Sequence, residues 1–389
     1  MAERMTGRSI GAGLVLAGVL AACSTQPGVT SEERTASPTA APTTSSSTTT
    51  APTTSTSTST STTSTSTTTS STTVPVAPAN AAVAAFASEP VLADIAGLAD
   101  APAISCGSFG GAATILETDT DWRGIDTFEL DVRQRTINSV QPSAPGFSSS
   151  DVQVDVVNIG GLGTDFSWKP SSPTVTDLGL PPATVEQLDG ALDGLDFGPY
   201  EYSVSSLGGF SGITNVDVVR GDLVDLFERL AIGDPALAEA SAADLELLGD
   251  DVIAELAGAP IGAFHLFDDA FVTDAPEAFD SLLPNSLGGS PVPAVGAAGI
   301  ADGLDDDGCV LLELRLTADP TSIDDVLGDL ADDPSVDPAS VPSGDIVFET
   351  LVQAQFDQSR GRIVRAVSRN TATIGLDSNV EIVAVTLVG

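Results

Sequence analysis

The chain has 389 residues, with Lys+Arg 14 against Asp+Glu 54, a formal net charge of −40 at pH 7. A field of that sign repels polyphosphate, which excludes nucleic-acid binding through a basic groove. It also repels an anionic lipid surface, so attachment to a membrane has to be covalent or hydrophobic.

At the N-terminus, Met1 to Ser9 carries Arg4 and Arg8, and Ile10 to Ala22 is an apolar run. The run is too short to cross a bilayer as a helix, which takes about 20 residues, and suits the core of a signal peptide. It ends in Leu20-Ala21-Ala22-Cys23. These four residues resemble the lipobox of bacterial lipoprotein precursors. The resemblance implies cleavage before Cys23 and a diacylglycerol on its thiol, with the new amino group open to acylation. Two or three acyl chains anchor stably where one binds marginally. The expected location is the extracytoplasmic face of a cell membrane, with the lipid anchor at Cys23 as the membrane contact.

Between Thr43 and Thr73 every residue is Ser or Thr except Ala51 and Pro52. Such a tract has no apolar surface to offset its ordering entropy, which predicts a disordered tether. As a flexible coil of about 60 residues it reaches about 40–45 Å. Dense Ser/Thr with Pro fits either a plain spacer or an O-glycosylated stalk. The expected organisation is a signal peptide at 1–22, Cys23 and linker at 23–83, and a globular part at 84–389. The globular part is long enough for one domain or for two subdomains sharing a sheet.

Cys106 and Cys309 remain in the exported part, where the compartment permits a disulfide between them. The bond would close a loop of 203 residues, worth at most about 5 kcal/mol by loop entropy. Strand-like alternation appears at Phe128, Leu130 and Val132, and at Val152, Val154 and Val156 with Gln153 and Asp155 on the opposite face. Tyr200, Tyr202 and Val204 repeat it, as do Leu312, Leu314 and Leu316 beside Glu313 and Arg315. The C-terminus reads as a meander. Its strands are Ile346 to Phe356, Arg362 to Ile374 and Val380 to Val388, with Ser359-Arg360-Gly361 as the first turn.

Helical spacing places Leu223, Leu226, Phe227 and Leu230 on one stripe, with Asp222 positioned to cap. A second helix is expected over about Leu245 to Leu256, and a third after Ser322 holding Ile323, Val326, Leu327 and Leu330. Leu283 to Asp307, rich in Gly, Pro and Ala, is expected to be a lid or an inserted loop.

For chemistry the residues offer little. The lone histidine lies in Ala263-Phe264-His265-Leu266-Phe267, read as a strand-like alternation and a structural role. There is no G-x-S-x-G elbow to serve it. Asp302, Asp305, Asp306 and Asp307 precede Gly308, yet the EF-hand template puts Gly303 and Leu314 at its essential ligand positions. A looser calcium site on these acids stays open. Aromatics that a sugar cleft would use are few: Trp122, Trp168, Tyr200 and Tyr202. No catalytic, metal or cofactor residue is singled out, and a non-enzyme is expected.

From Tyr200 onward the order of elements carries a resemblance. Val204-Ser205-Ser206-Leu207, then Gly212-Ile213-Thr214-Asn215-Val216-Asp217-Val218-Val219-Arg220-Gly221-Asp222-Leu223, are similar to actinobacterial lipid-carrier lipoproteins of the mycobacterial half-barrel type. There a strand, a glycine turn and a second strand lead into a short helix. Gly361-Arg362-Ile363-Val364-Arg365 resembles a later hairpin of that family. The resemblance implies an α+β fold, a curved antiparallel sheet (half-barrel-like) with helices on one face, following the disordered tether. It also implies an apolar cavity for a hydrophobic, lipid-like ligand. A surface adhesion or scaffold module is the alternative expectation, and an envelope-polymer hydrolase a third.

Overall fold

Apolar alternation organises most of the chain, and the strands form where it runs. The computed structural model describes residues 83–88, 101–107, 111–118, 122, 125–138, 146–160, 163–172, 174–176, 182–205, 210–231, 235–247, 249–268, 270–283, 292–319, 321–323, 346–374 and 377–389. The signal segment, Cys23 and the Ser/Thr tract lie outside the described residues. The elements run β1 Ile115–Glu117, β2 Thr127–Asn138, β3 Gly146–Gly160, β4 Gly163–Pro170, β5 Thr174–Thr176 and α1 Pro182–Leu192. Then come β6 Tyr200–Ser205, β7 Phe210–Ile213, α2 Val216–Leu230, α3 Pro235–Leu247, α4 Asp250–His265 and β8 Phe271–Thr273. The chain ends in β9 Glu277–Leu283, β10 Val292–Asp302, β11 Val310–Ala318, β12 Ile346–Asp357, β13 Arg362–Ile374 and β14 Asp377–Leu387.

Twelve strands make one sheet, in the order β7-β6-β4-β3-β2-β14-β13-β12-β11-β10-β9, with β5 beside β3. Every pairing is antiparallel. β1 and β8 form a separate two-stranded ribbon. The fold is therefore more sheet-dominated than the expected α+β balance, and the sheet is open, with β7 and β9 as its edges.

The contacts of α4 fit a curved sheet. That helix has 16 residues, about 24 Å. It packs closely on β7 at one edge and on β13 and β14 in the middle. On a flat sheet β7 and β13 would stand about 29 Å apart, six strand spacings, farther than the helix is long. Side chains of three intervening strands also converge on its last turn. Tyr202 of β6 and Phe166 of β4 meet His265, and Phe128 of β2 stacks on Phe264. Gly258 permits the close approach at the β7 end, since a Cβ there would stand 2.9 Å from the Phe210 ring.

The inner face carries the main core. Phe128, Leu130, Val152 and Val154 are buried there, while Asp151, Gln153 and Asp155 on the other face are exposed, as the alternation predicts. The C-terminal meander follows its expected limits closely, and Gly361 makes its turn at φ +65°.

Four expectations are corrected. α2 begins at Val216, so Asp222 lies inside the helix and does not cap it; its Oδ2 accepts the Gly198 N–H at 2.7 Å, tying α2 to the entry of β6. The single helix expected over Leu245 to Leu256 is two elements: α3 ends at Leu247 and α4 begins at Asp250 after its N-cap Gly249. α4 runs on through Gly258 and Pro260 because tertiary burial overrides their poor propensity. His265 therefore sits on a helix, not a strand; five residues cannot separate the two periods. Of the expected lid at 283–307, Val292–Asp302 is β10, whose small residues fit beneath larger neighbours, Phe279 and Leu316 over Gly296 and Phe86 over Gly299, and 284–291 lie outside the described residues. Of the helix after Ser322, Thr321 to Ile323 are helical and the remainder lies outside the described residues.

Candidate functional site

The chain's one imidazole is enclosed. His265, Asp268 and Tyr202 are all buried. Asp268 Oδ2 takes the Nδ1 side of the ring at 2.6 Å, which leaves Nε2 to accept from the Tyr202 hydroxyl at 3.1 Å. Burial, and then the Asp268 carboxylate, push the Tyr202 phenol well above its ordinary value, so it remains a donor. Trp122, Phe128, Phe166 and Phe264 pack around the group. The four aromatics a sugar cleft would use, Trp122, Trp168, Tyr200 and Tyr202, are at most 6% exposed and belong to the core.

A second polar group lies on the inner face, where register places it. Residues directly paired in an antiparallel sheet share a face. One row across four strands is Thr136 of β2, Glu381 of β14, Asn370 of β13 and Thr350 of β12. One pleat inward, the next row is Gln134, Val383, Ser368 and Val352. Thr350 Oγ1 donates to Asn370 Oδ1 at 2.7 Å. Glu381 is 3% exposed, and its Oε1 is buried without a hydrogen-bond partner. Burial pushes this carboxyl well above its ordinary value of 4.5. One pleat outward, half-buried Asn379 of β14 forms the rim. Further in, the wall becomes aliphatic and small: Val385, Ala366, Ala354 and Leu312, with Ala294 and Ala298 on β10. Sequence reasoning missed this group, although a lone charge between Val380 and Ile382 in an apolar strand was its visible signal.

On the outer face of β11–β14 a different arrangement holds. Leu351, Val367, Ile382 and Ala384 form a small cluster against Ala101. Cys106 and Cys309 are joined in a disulfide, as the cysteine count suggested. The same segment is fixed by three further contacts. The Ala87 N–H donates to Glu313 Oε1 at 2.9 Å, Arg365 donates to the Pro102 carbonyl, and the Gly107 N–H donates to Asp357 Oδ1 at 3.2 Å. Glu313 and Arg315, which alternate with the inward leucines of β11, are consequently 0% and 4% exposed. Glu313 also accepts from Gln353 at 2.7 Å, and Arg315 donates to Glu349 at 2.5 Å. Burial works against ionisation of Asp357. Hydrogen bonds from the Ser359 hydroxyl and from the N–H groups of Ser359, Gly107 and Arg360 outweigh it and hold the carboxyl below its usual range.

The acidic run before Gly308 forms the β10–β11 turn. Asp305 Oδ1 accepts the N–H groups of Asp307 and Cys309 at 3.0 and 2.8 Å, and Gln355 donates to Asp305 Oδ2 at 2.7 Å. The Asp305 carboxylate thus shapes the turn and ties it to β12.

No protein-family model and no curated protein matches the sequence. A solved structure of lipovitellin, described as showing lipid–protein interactions, is similar to 69% of this chain with a TM-score of 0.34 and 8% identity. The match covers 26% of that solved chain, so this chain spans about a quarter of its length.

Proposed function

We propose that this chain is a lipid-anchored protein of the extracytoplasmic membrane face that binds or carries a hydrophobic, lipid-like ligand on the inner face of its sheet. The observation that supports this reading is the inner wall itself. An open sheet curled round a helix presents Ala294, Ala298, Ala354 and Ala366 among larger aliphatics, the half-barrel arrangement expected of a carrier. Small side chains on a concave wall favour acyl chains, whose burial contributes about 0.8 kcal/mol per methylene. The enclosed His265 favours binding over covalent chemistry. The Ser/Thr tether from Cys23 would act as a flexible spacer with a root-mean-square reach of about 40–45 Å.

The test uses the full chain with Cys23→Ser, made in a lipid-containing host and weighed under native and denaturing conditions. A lipid-sized mass held natively and lost on denaturation is the expected result. A bare mass, with no uptake of added diacylglycerol or phospholipid, overturns the reading. Anchoring is checked separately: labelled palmitate should enter the parent chain and not Cys23→Ser, and equal labelling of both would remove the anchor.

A further inference from the structure

An amphiphile has two ends, and the inner face offers two surfaces along one strand direction. From the rim inward, β14 presents Asn379, Glu381, Val383 and Val385, and its neighbour β13 presents Ala372, Asn370, Ser368 and Ala366. Polar groups thus stand toward the β13–β14 turn and aliphatic ones behind them. Within the polar part Glu381 is the outlying group. Thr350 and Asn370 satisfy one another, whereas Oε1 of Glu381 is buried with no partner. An orphan buried acceptor costs about 1–3 kcal/mol, a penalty a donor from a ligand would relieve.

The arginines on the two neighbouring strands do not serve it. Arg133 and Arg135 on β2, and Arg365 and Arg369 on β13, occupy the alternate positions of their strands and so face outward. The residues paired with Glu381 are Thr136 and Asn370, both uncharged. An anionic head brought here would find no cation beside Glu381 among the described residues to balance its charge. A hydroxyl head would donate to the free oxygen and could accept from the amide of Gln134 or Asn370.

We propose that Glu381, with Asn370 and Thr136 beside it, is the headgroup site for a neutral, hydroxyl-bearing lipid of the acylglycerol type. The acyl chains run inward past Val383 and Val385. This rests on the ligand-binding reading above and specifies which ligand that face takes.

The test measures binding of dioleoylglycerol and of dioleoylphosphatidylglycerol to the full chain carrying Cys23→Ser, with and without Glu381→Leu or Glu381→Gln. The ratio of the two affinities is the readout, because the chain's overall negative charge acts on both variants alike. In the parent, dioleoylglycerol should bind about tenfold more tightly, about 1.4 kcal/mol. Glu381→Leu should erase that preference by weakening dioleoylglycerol alone, and Glu381→Gln, which keeps an acceptor, should retain it. Equal affinities in the parent, or a ratio unmoved by Glu381→Leu, would overturn the headgroup site while leaving lipid binding standing. Failure of both lipids to bind the parent would overturn both proposals together. Should Glu381→Leu fail to fold, the parent ratio and Glu381→Gln still decide the matter.

Discussion

The two halves of the sheet alternate alike in sequence and end differently. In β3–β6 the outward positions are wet: Asp151, Gln153, Asp155 and Glu201 are exposed. In β10–β14 the equivalent positions, Glu313, Gln353, Gln355 and Arg365, are buried under the segment that Cys106 pins to Cys309. Polar residues at period two therefore do not report exposure by themselves. They report a face, and what covers that face is decided by a stretch of chain far away in sequence. On that covered outer face Gln353 pairs with Glu313, which offsets the removal of both from water.

Removing the disulfide is the strongest way to break this contrast. Cys106→Ala with Cys309→Ala should lower unfolding free energy by about 3–5 kcal/mol. Hydrogen exchange should then rise in β11 and β12, and not in β3 and β4. A uniform rise would show that the covering segment is not specific to one half. Next in size, Leu351→Ala on the covered face should cost about 2–4 kcal/mol, whereas Gln153→Ala on the wet face should cost less than about 0.5 kcal/mol. Denaturant melts of the two variants read the contrast directly, and equal costs would abolish it.

Two acids sharpen it through pH. Glu381 has its pKa raised by burial, so the stability linked to it is full below the unfolded value and is lost as pH rises through the folded one. Glu381→Gln should therefore raise Tm at pH 7, with the gain vanishing below about pH 4.5. Asp357 has its pKa lowered, so its stabilisation is present above the unfolded value and disappears as pH falls through the folded one. Asp357→Asn should cost about 1 kcal/mol at pH 7, with the difference from the parent shrinking below pH 3.8. Thermal melts across pH 3–8 check both signs.

Much of the sheet was legible because local alternation and turn residues specify strands directly. Phe128 to Val132, Val152 to Val156 and the meander from Ile346 were readable on that basis, and so was the cysteine pair. β10 was not, since Ala and Gly run through it and its strand character comes from neighbours such as Phe279 and Leu316 that cover the glycines. The limits of α3 and α4 failed for a similar reason, burial prevailing over Gly258 and Pro260. The polar row at Glu381 depends on register between strands far apart in the chain, which one sequence does not display. Tyr202, His265 and Asp268 come together only once the sheet has curled.

The pairing of β2 with β14 has a consequence for how the molecule is made. The chain's first long strand is hydrogen-bonded to its last, so the sheet grows as two local meanders that meet at a seam in its middle. Non-local pairing of this kind is slow, because the intervening loop has to close before any contact rewards it. A chain threaded out of a channel N-terminus first would hold β2 unpaired along one side until the final residues emerged. Arg133 and Arg135 lie on that waiting strand, and charged side chains are what discourage a bare strand from pairing with a stranger.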